Sequence, residues 1–214
     1  MKRICCLFML LCTLSSYAQP FRFKSTGPGK PFFLNIGWGE KGKGAYVWYE
    51  GQNSPMALQV SAYKRDKAQA GTNQPDEESY RWSEIYQGKI NGTYALTMMQ
   101  HNIYQVSYVR ARDNKKFELE YLEDKKPYDG KNMLLLYGIQ LHFYVFYKND
   151  FKLLYPNGQE TSFKLSPLKN GNARQYSIRD YNNDGYDDIS FKQSGAKAEI
   201  FIYHPQIKKF MPQE

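Results

Sequence analysis

Apolar and polar residues alternate along most of the chain, with the period of two that is typical of half-buried β-strands. The pattern predicts strands at residues 32–38, 45–50, 57–63, 93–99, 103–111, 116–122, 151–155, 161–165, 189–192 and 199–203. Residues 133–147 are more continuously apolar around Gly138, which favours a buried strand pair or one bent strand. Because no segment carries a sustained helical stripe with caps, we expect an all-β fold. Its architecture would be an antiparallel meander, barrel, sandwich or propeller-like assembly.

Turn-forming residues separate the predicted strands. The Pro-Asn-Gly sequence at 156–158 is a clear hairpin signal, because each of these residues favours a tight turn. Two polar stretches, 64–79 and 123–132, are interpreted as long exposed loops between strands. We therefore expect a single all-β domain over residues 19–214. A division into two lobes near 123–132 is the alternative.

The amino terminus has the layout of a secretory signal peptide. A basic pair at 2–3 precedes an apolar core at 4–14 and a small-x-small cleavage site at 16–18. We expect residues 1–18 to be removed and the mature chain to be periplasmic or secreted. A lipoprotein is the alternative, although large residues rather than small ones precede Cys12. All three cysteines lie in the segment to be removed, so the mature chain would hold no disulfide.

Charge and hydropathy narrow the choice of partner. The 214 residues carry 29 Lys and Arg against 21 Asp and Glu, a formal net charge of +8. The basic residues are scattered and the chain is expected to be exported, so we expect no nucleic-acid partner. Attraction to anionic envelope polymers is an alternative. No apolar run reaches the roughly 18–20 residues of a membrane-spanning helix, so we expect no membrane span.

The sequence contains partial matches to motifs for nucleotide binding and for catalysis, but the residues around them do not fit these functions. The glycines within 37–42 fit the G-x-G-x-x-G spacing, but a strand pattern follows where a dinucleotide site needs a helix. A glycine-rich hairpin turn with Lys41 and Lys43 at its tip is predicted instead. Glu118 and Glu120 share one strand face, as a glycosidase pair could, but an exposed strand face is the simpler interpretation. We expect a protein that is not an enzyme.

One segment, residues 180–188, contains the oxygen-bearing residues that bind a hard cation. It reads D-x-N-x-D-G-x-x-D, and a tight loop of this spacing delivers oxygen ligands to calcium at alternate positions. The predicted ligands are Asp180, Asn182, Asp184, the Tyr186 carbonyl and Asp188. Asp187 is expected to point away from the ion or to support its ligands. Phe191 stands where an EF-hand has its last glutamate, so a strand is predicted to leave the loop.

The aspartate loop resembles the calcium loops of FG-GAP and related β-repeat proteins. Residues 179–210 extend the likeness, since the loop is followed by a strand, the sequence Phe-Ile-Tyr-His-Pro at 201–205 and Lys-Lys-Phe at 208–210. This stretch is similar to a family of small secreted bacterial β-proteins related to periplasmic lysozyme inhibitors. Some of those proteins serve as immunity proteins against peptidoglycan-cleaving effectors. The resemblance implies an export signal, an all-β fold and calcium bound by the five ligands named above.

The resemblance also implies a protein partner, a peptidoglycan hydrolase. Because this chain is basic, a neutral or acidic hydrolase is the better expectation. We expect contacts from the loops, including 64–79 and 123–132. The alternative is a calcium-stabilised envelope or secreted module that binds glycan or protein through exposed aromatic residues. Its candidate contacts are Trp38, Trp48 and Trp82.

Overall fold

The computed structural model describes residues 20–68, 74–100, 102–123, 128–169 and 172–213. In these ranges the chain forms strands and one short 3-10 turn at Glu40–Gly42, and every strand pair is antiparallel. The predicted all-β class is confirmed. The predicted signal peptide, residues 1–18, lies outside the described residues.

Within the described part of the chain, no helix has the length and apolar character needed to cross a membrane.

The first eight strands form a closed barrel. They are β1 (Phe21–Thr26), β2 (Phe33–Gly37), β3 (Ala45–Tyr49), β4 (Met56–Asp66), β5 (Glu77–Tyr86), β6 (Lys89–Met99), β7 (Asn102–Arg110) and β8 (Lys116–Leu122). Each strand pairs with the next, and β1 closes the barrel on β8 with Phe23 opposite Tyr121. Because the barrel is closed, its strands have no unpaired edge.

Large aromatic side chains fill the barrel interior. The Trp82 side chain is fully buried and stacks on Tyr80 with 5.1 Å between ring centroids, and Trp38 packs against both rings. A buried indole N–H needs an acceptor, and Trp82 Nε1 donates to the Gly42 carbonyl at 2.9 Å. This bond attaches the 3-10 turn to the barrel core. The predicted glycine-rich turn therefore exists between β2 and β3, with an ordered geometry.

The remaining strands form two four-stranded sheets. The first contains β9 (Lys131–Leu136), β10 (Ile139–Tyr144), β11 (Asp150–Leu154) and β12 (Glu160–Lys164). The second contains β13 (Gln175–Arg179), β14 (Asp188–Lys192), β15 (Glu199–His204) and β16 (Lys209–Pro212). Their inner faces share one apolar core, in which Phe151 lies 4.8 Å from both Phe191 and Phe201 between ring centroids. This half of the chain is a β-sandwich.

Several element predictions can be compared with these bounds. The apolar stretch 133–147 is a strand pair, β9 and β10, joined by a turn at Tyr137 and Gly138. The hairpin predicted at 156–158 joins β11 to β12. The loop prediction for 64–79 was wrong at both ends, because β4 continues to residue 66 and β5 starts at residue 77. This ribbon end is polar on both faces, so it carries no period-two signal.

The barrel and the sandwich meet at a joint beside the 3-10 turn. The Leu135 N–H on β9 donates to the Gly44 carbonyl at 2.9 Å, and Leu135 packs in a small cluster with Tyr46 and Met133. Ser177 on β13 donates its hydroxyl to Glu40 at 2.9 Å. The stretch 123–132 is the connection from β8 to β9, and its residues 124–127 lie outside the described residues.

Candidate metal centre

The aspartate loop connects β13 to β14 at this joint. Asn183 and Gly185 adopt positive φ angles, 59° and 90°, which turn the chain sharply within the loop. Glycine takes such angles without a steric penalty, and asparagine tolerates them better than most residues. The Asn-Asp-Gly sequence at 183–185 therefore supplies the local geometry of the loop.

The first three predicted ligands are brought together within the turn. Asp180 accepts hydrogen bonds from the N–H groups of Asp184 at 3.1 Å and Gly185 at 2.8 Å. Asn182 donates its amide to the Asp184 carboxylate at 2.9 Å, and that carboxylate also accepts the Tyr186 N–H at 2.9 Å. The backbone donors, led by the Gly185 N–H, hold the pKa of Asp180 below its usual value.

The fourth ligand side chain, Asp188, is buried where β14 starts. Its two oxygens accept the N–H groups of Tyr181 at 2.9 Å and Tyr203 at 2.8 Å, so the carboxylate ties the loop to β15. Burial raises the pKa of Asp188, and the nearby charges of Asp184 and Asp180 raise it further. The carboxylates thus lie close enough to repel one another, and a bound cation would remove that repulsion.

The donor chemistry fits calcium, because carboxylate, amide and carbonyl oxygens are the ligands this ion takes. Within the described ranges, however, no three His, Cys, Asp or Glu side chains form a group arranged to hold a metal ion. The loop oxygens instead accept N–H groups of the loop itself. Ion binding would therefore have to replace at least the bond from the Asn182 amide to Asp184. The Tyr186 ring is exposed and faces Tyr137 edge-on, with 5.7 Å between centroids.

Asp187 makes a contact that the sequence pattern does not reveal. Its carboxylate pairs with Lys43 Nζ at 2.5 Å, and Lys43 also donates to the Ile178 carbonyl at 3.5 Å. The Asp187 N–H donates to the Tyr137 hydroxyl at 2.5 Å. Lys43 follows the 3-10 turn of the barrel, so this pair links the loop to the other half of the molecule. Lys43 lies at the end of the predicted turn, and its side chain is directed to the aspartate loop.

The other sequence candidates do not form sites together. Glu118 and Glu120 are exposed on the outer face of β8, and Glu118 pairs with Lys116 at 2.6 Å. Trp38 and Trp82 are buried in the barrel, so neither can stack on a glycan. Trp48 is half-buried and donates to the Gln52 carbonyl at 2.9 Å. A flat row formed by the three tryptophans is therefore excluded.

A buried polar cluster inside the barrel was not predicted. Glu84 on β5 has 0% of its surface exposed, and its carboxylate accepts the hydroxyls of Tyr49 at 3.0 Å, Tyr94 at 2.9 Å and Tyr108 at 3.3 Å. The Asn91 amide also donates to it. Burial raises the pKa of all three tyrosines, that of Tyr108 to about 12. Glu84 follows two inward-facing aromatic positions at spacing two, which is the one sequence signal for its burial.

Comparison with known proteins adds no relative, since no protein-family model, no curated protein and no solved structure matches the chain.

Proposed function

We propose that this protein is an exported calcium-binding protein that acts by binding another protein. The observation that carries the calcium proposal is the tight turn that places Asp180 beside the Asp184 backbone, together with the ligand spacing of residues 180–188. Asn182 and the Tyr186 carbonyl complete the proposed ligand set. The Asp188 carboxylate is buried, so a cation there would offset a real electrostatic cost of folding.

The role we assign to calcium is stabilisation of the joint. The ligand loop is held by Tyr203 on β15 and, through Asp187, by Lys43 of the barrel. An ion that binds only the native loop stabilises the folded state, including the contacts that the loop makes with β15 and with the barrel. At one hundred times Kd the gain is about 2.7 kcal/mol.

Thermal unfolding of metal-free protein tests this role. We expect calcium to raise the melting temperature of the native protein, and Asp184→Ala to abolish that rise. Asp66→Ala is the matched control, because Asp66 is an exposed aspartate at the far end of β4. An equal calcium response in the native protein and in Asp184→Ala would refute the site, as would the absence of any response in the native protein.

The partner we propose is a neutral or acidic peptidoglycan hydrolase. The proposal rests on the resemblance of residues 179–210 to secreted lysozyme-inhibitor relatives and on the expected export of the chain. The contact regions we propose are the β4–β5 connection and the β8–β9 connection. Both lie on segments that join strands of a rigid scaffold, where recognition residues are usually carried.

Inhibition of cell-wall clearing tests the partner. The mature protein is mixed with a panel of muramidases and peptidoglycan amidases, and complex formation is followed by size-exclusion chromatography. Inhibition that tracks a stoichiometric complex is the expected result. Clearing by the protein itself that is lost in Glu118→Gln or Glu120→Gln would show that it is a hydrolase. Absence of any complex across the panel would refute the partner.

A further inference from the structure

An open cavity of about 360 Å³ lies at the end of the barrel where the β5–β6 hairpin faces the β7–β8 turn. Its lining residues come from both connections: Tyr86, Gln87, Lys89, Ile90, Asn91, Ala111 and Arg112. This volume suits a single sugar ring or a similar small molecule. The cavity takes no part in the proposed calcium site, none of whose residues line it.

One lining residue of the cavity is held by the buried polar cluster. The exposed Asn91 donates its side-chain amide to Glu84, and its carbonyl accepts the Ala111 N–H at 2.9 Å. Asn91 lies at a bulge, because Glu84 is opposite Gly92 whereas Ile85 is opposite Ile90. Bulges of this kind commonly redirect side chains next to binding sites. A lining residue held in this way is positioned before a ligand arrives.

Two large side chains in the lining are strongly exposed. Tyr86 is 52% exposed and Ile90 is 59% exposed. A sugar ring has an apolar face and polar groups around its edge. An exposed tyrosine ring can stack on that face, and nearby side-chain amides can form hydrogen bonds with the polar groups.

Two lining residues of the cavity, Lys89 and Arg112, are cationic, and Arg112 shares its acidic partner, Asp113, with Arg110. The Asp113 carboxylate receives two N–H groups of Arg110, at 2.9 Å and 2.6 Å, and lies 3.9 Å from Arg112 Nε. The Arg112 side chain is 74% exposed. Among the described residues, no ion pair involves Lys89. A ligand with a carboxylate would complement these two cations.

We propose that this cavity binds an acidic saccharide, with the sugar ring on Tyr86 and Ile90 and its carboxylate between Lys89 and Arg112. The site is independent of the hydrolase partner and of calcium. It gives the protein a second, small-molecule specificity for the carboxylated glycans of a cell envelope.

Calorimetric titration of the full mature chain with glucuronate, at low ionic strength, tests the site. We expect saturable binding that weakens about tenfold in Arg112→Gln and in Lys89→Gln, because each removes one charged hydrogen-bond donor. Arg81→Gln is the matched control, since Arg81 is an exposed arginine on the outer face of the same β5 strand. It should bind glucuronate as the native protein does. Added salt should weaken native binding.

Three results would overturn the proposal. Glucose binding as tight as glucuronate binding would show that the cations are not used. N-acetylglutamate binding tighter than glucuronate binding would show that the cavity takes an acidic side chain of a protein instead. No binding of glucuronate or of its short oligomers would show that the cavity is not a saccharide site. None of these measurements depends on hydrolase inhibition, so the two proposals fail separately.

Discussion

At the scale of single residues, Glu84 sets the chemistry of the barrel interior. No ion pair among the described residues involves its carboxylate, which relies on three tyrosine hydroxyls and one amide. The Tyr49 and Tyr94 hydroxyls also lie 2.5 Å from each other, so the carboxylate and its donors form one connected hydrogen-bond network. The same cluster holds Asn91, which lines the cavity.

Glu84→Gln should destabilise the protein by about 1–3 kcal/mol, because the new amide points a donor at hydroxyls that need an acceptor. The free energy of unfolding in urea measures the effect. Glu118→Gln is the control, since Glu118 is exposed and its pair with Lys116 contributes little. Equal stability of the two variants would contradict the importance of the cluster.

Asp113 makes a pH-dependent prediction at the same scale. Its hydrogen bonds from Arg110 lower its pKa from 3.8 to about 2. A carboxyl group with a lowered folded-state pKa stabilises the protein above pH 4 and loses that contribution as the pH falls toward 2. Carboxyl chemical shifts in an NMR titration should give a midpoint near 2 for Asp113. In Arg110→Gln the midpoint should move toward 3.8, and an unchanged midpoint would contradict the assignment.

At the scale of elements, period-two patterning identified the strands whose two faces differ in polarity. It missed β5, where the buried positions include Glu84 and the exposed ribbon end is polar on both faces. It also missed β1, β13 and β16, which have only four to six residues each. Strand length does not explain these misses, because β3, β11 and β12 have five residues each and were predicted. Alternation is present in β1 and β13 as well, and β1 also depends on its distant partner β8 to close the barrel.

In the candidate metal loop, too, some features follow from local sequence and others depend on the folded chain. Its ligand spacing and its turn residues are local, so the sequence is sufficient to propose them. The pair between Asp187 and Lys43 joins residues 144 positions apart, and the bond from Tyr203 to Asp188 depends on sheet pairing. Neither contact has a local signature, so only the folded chain reveals that the loop lies at the joint.

The β9–β10 turn supports a prediction about a single element. Gly138 has a φ of 80°, and its partner in the turn, Tyr137, has a φ of 54°. Gly138→Val should cost about 1–2 kcal/mol, because a β-branched residue resists the left-handed region. Gly138→Asn is the control and should cost clearly less, since asparagine tolerates positive φ. Urea unfolding measures both, and equal losses would contradict the conformational explanation.

At the scale of the whole molecule, the barrel and the sandwich have separate apolar cores, and the two halves are in contact at the joint. Among the described residues, the connection includes one backbone hydrogen bond, a small apolar cluster and three polar links: Lys43 to Asp187, Lys43 to the Ile178 carbonyl and Ser177 to Glu40. Calcium in the loop should therefore affect the barrel as well as the sandwich.

All three tryptophans belong to the barrel half and Trp48 packs against the joint cluster, so tryptophan fluorescence follows the barrel and the joint, whereas far-ultraviolet circular dichroism follows both halves. In the native protein we expect calcium to raise the melting temperature in both signals. In Lys43→Met the gain seen by fluorescence should be smaller than the gain seen by dichroism. Lys41→Met, an exposed change in the same 3-10 turn, should behave as the native protein does. Identical responses in Lys43→Met and native protein would show that Lys43 does not couple calcium binding in the loop to the stability of the barrel.

The position of the joint also bears on how this molecule avoids polymerisation. An open sheet exposes backbone groups along its outer strands, and a second chain can add there. Here the barrel contacts β9 through Leu135 and β13 through Ile178, so it covers one outer strand of each sheet. Of the remaining outer strands, β12 carries the charged residues Glu160 and Lys164, and β16 has four residues and ends at Pro212. Detaching the barrel would double the number of outer strands open to intermolecular pairing, so we expect loss of the joint to increase aggregation.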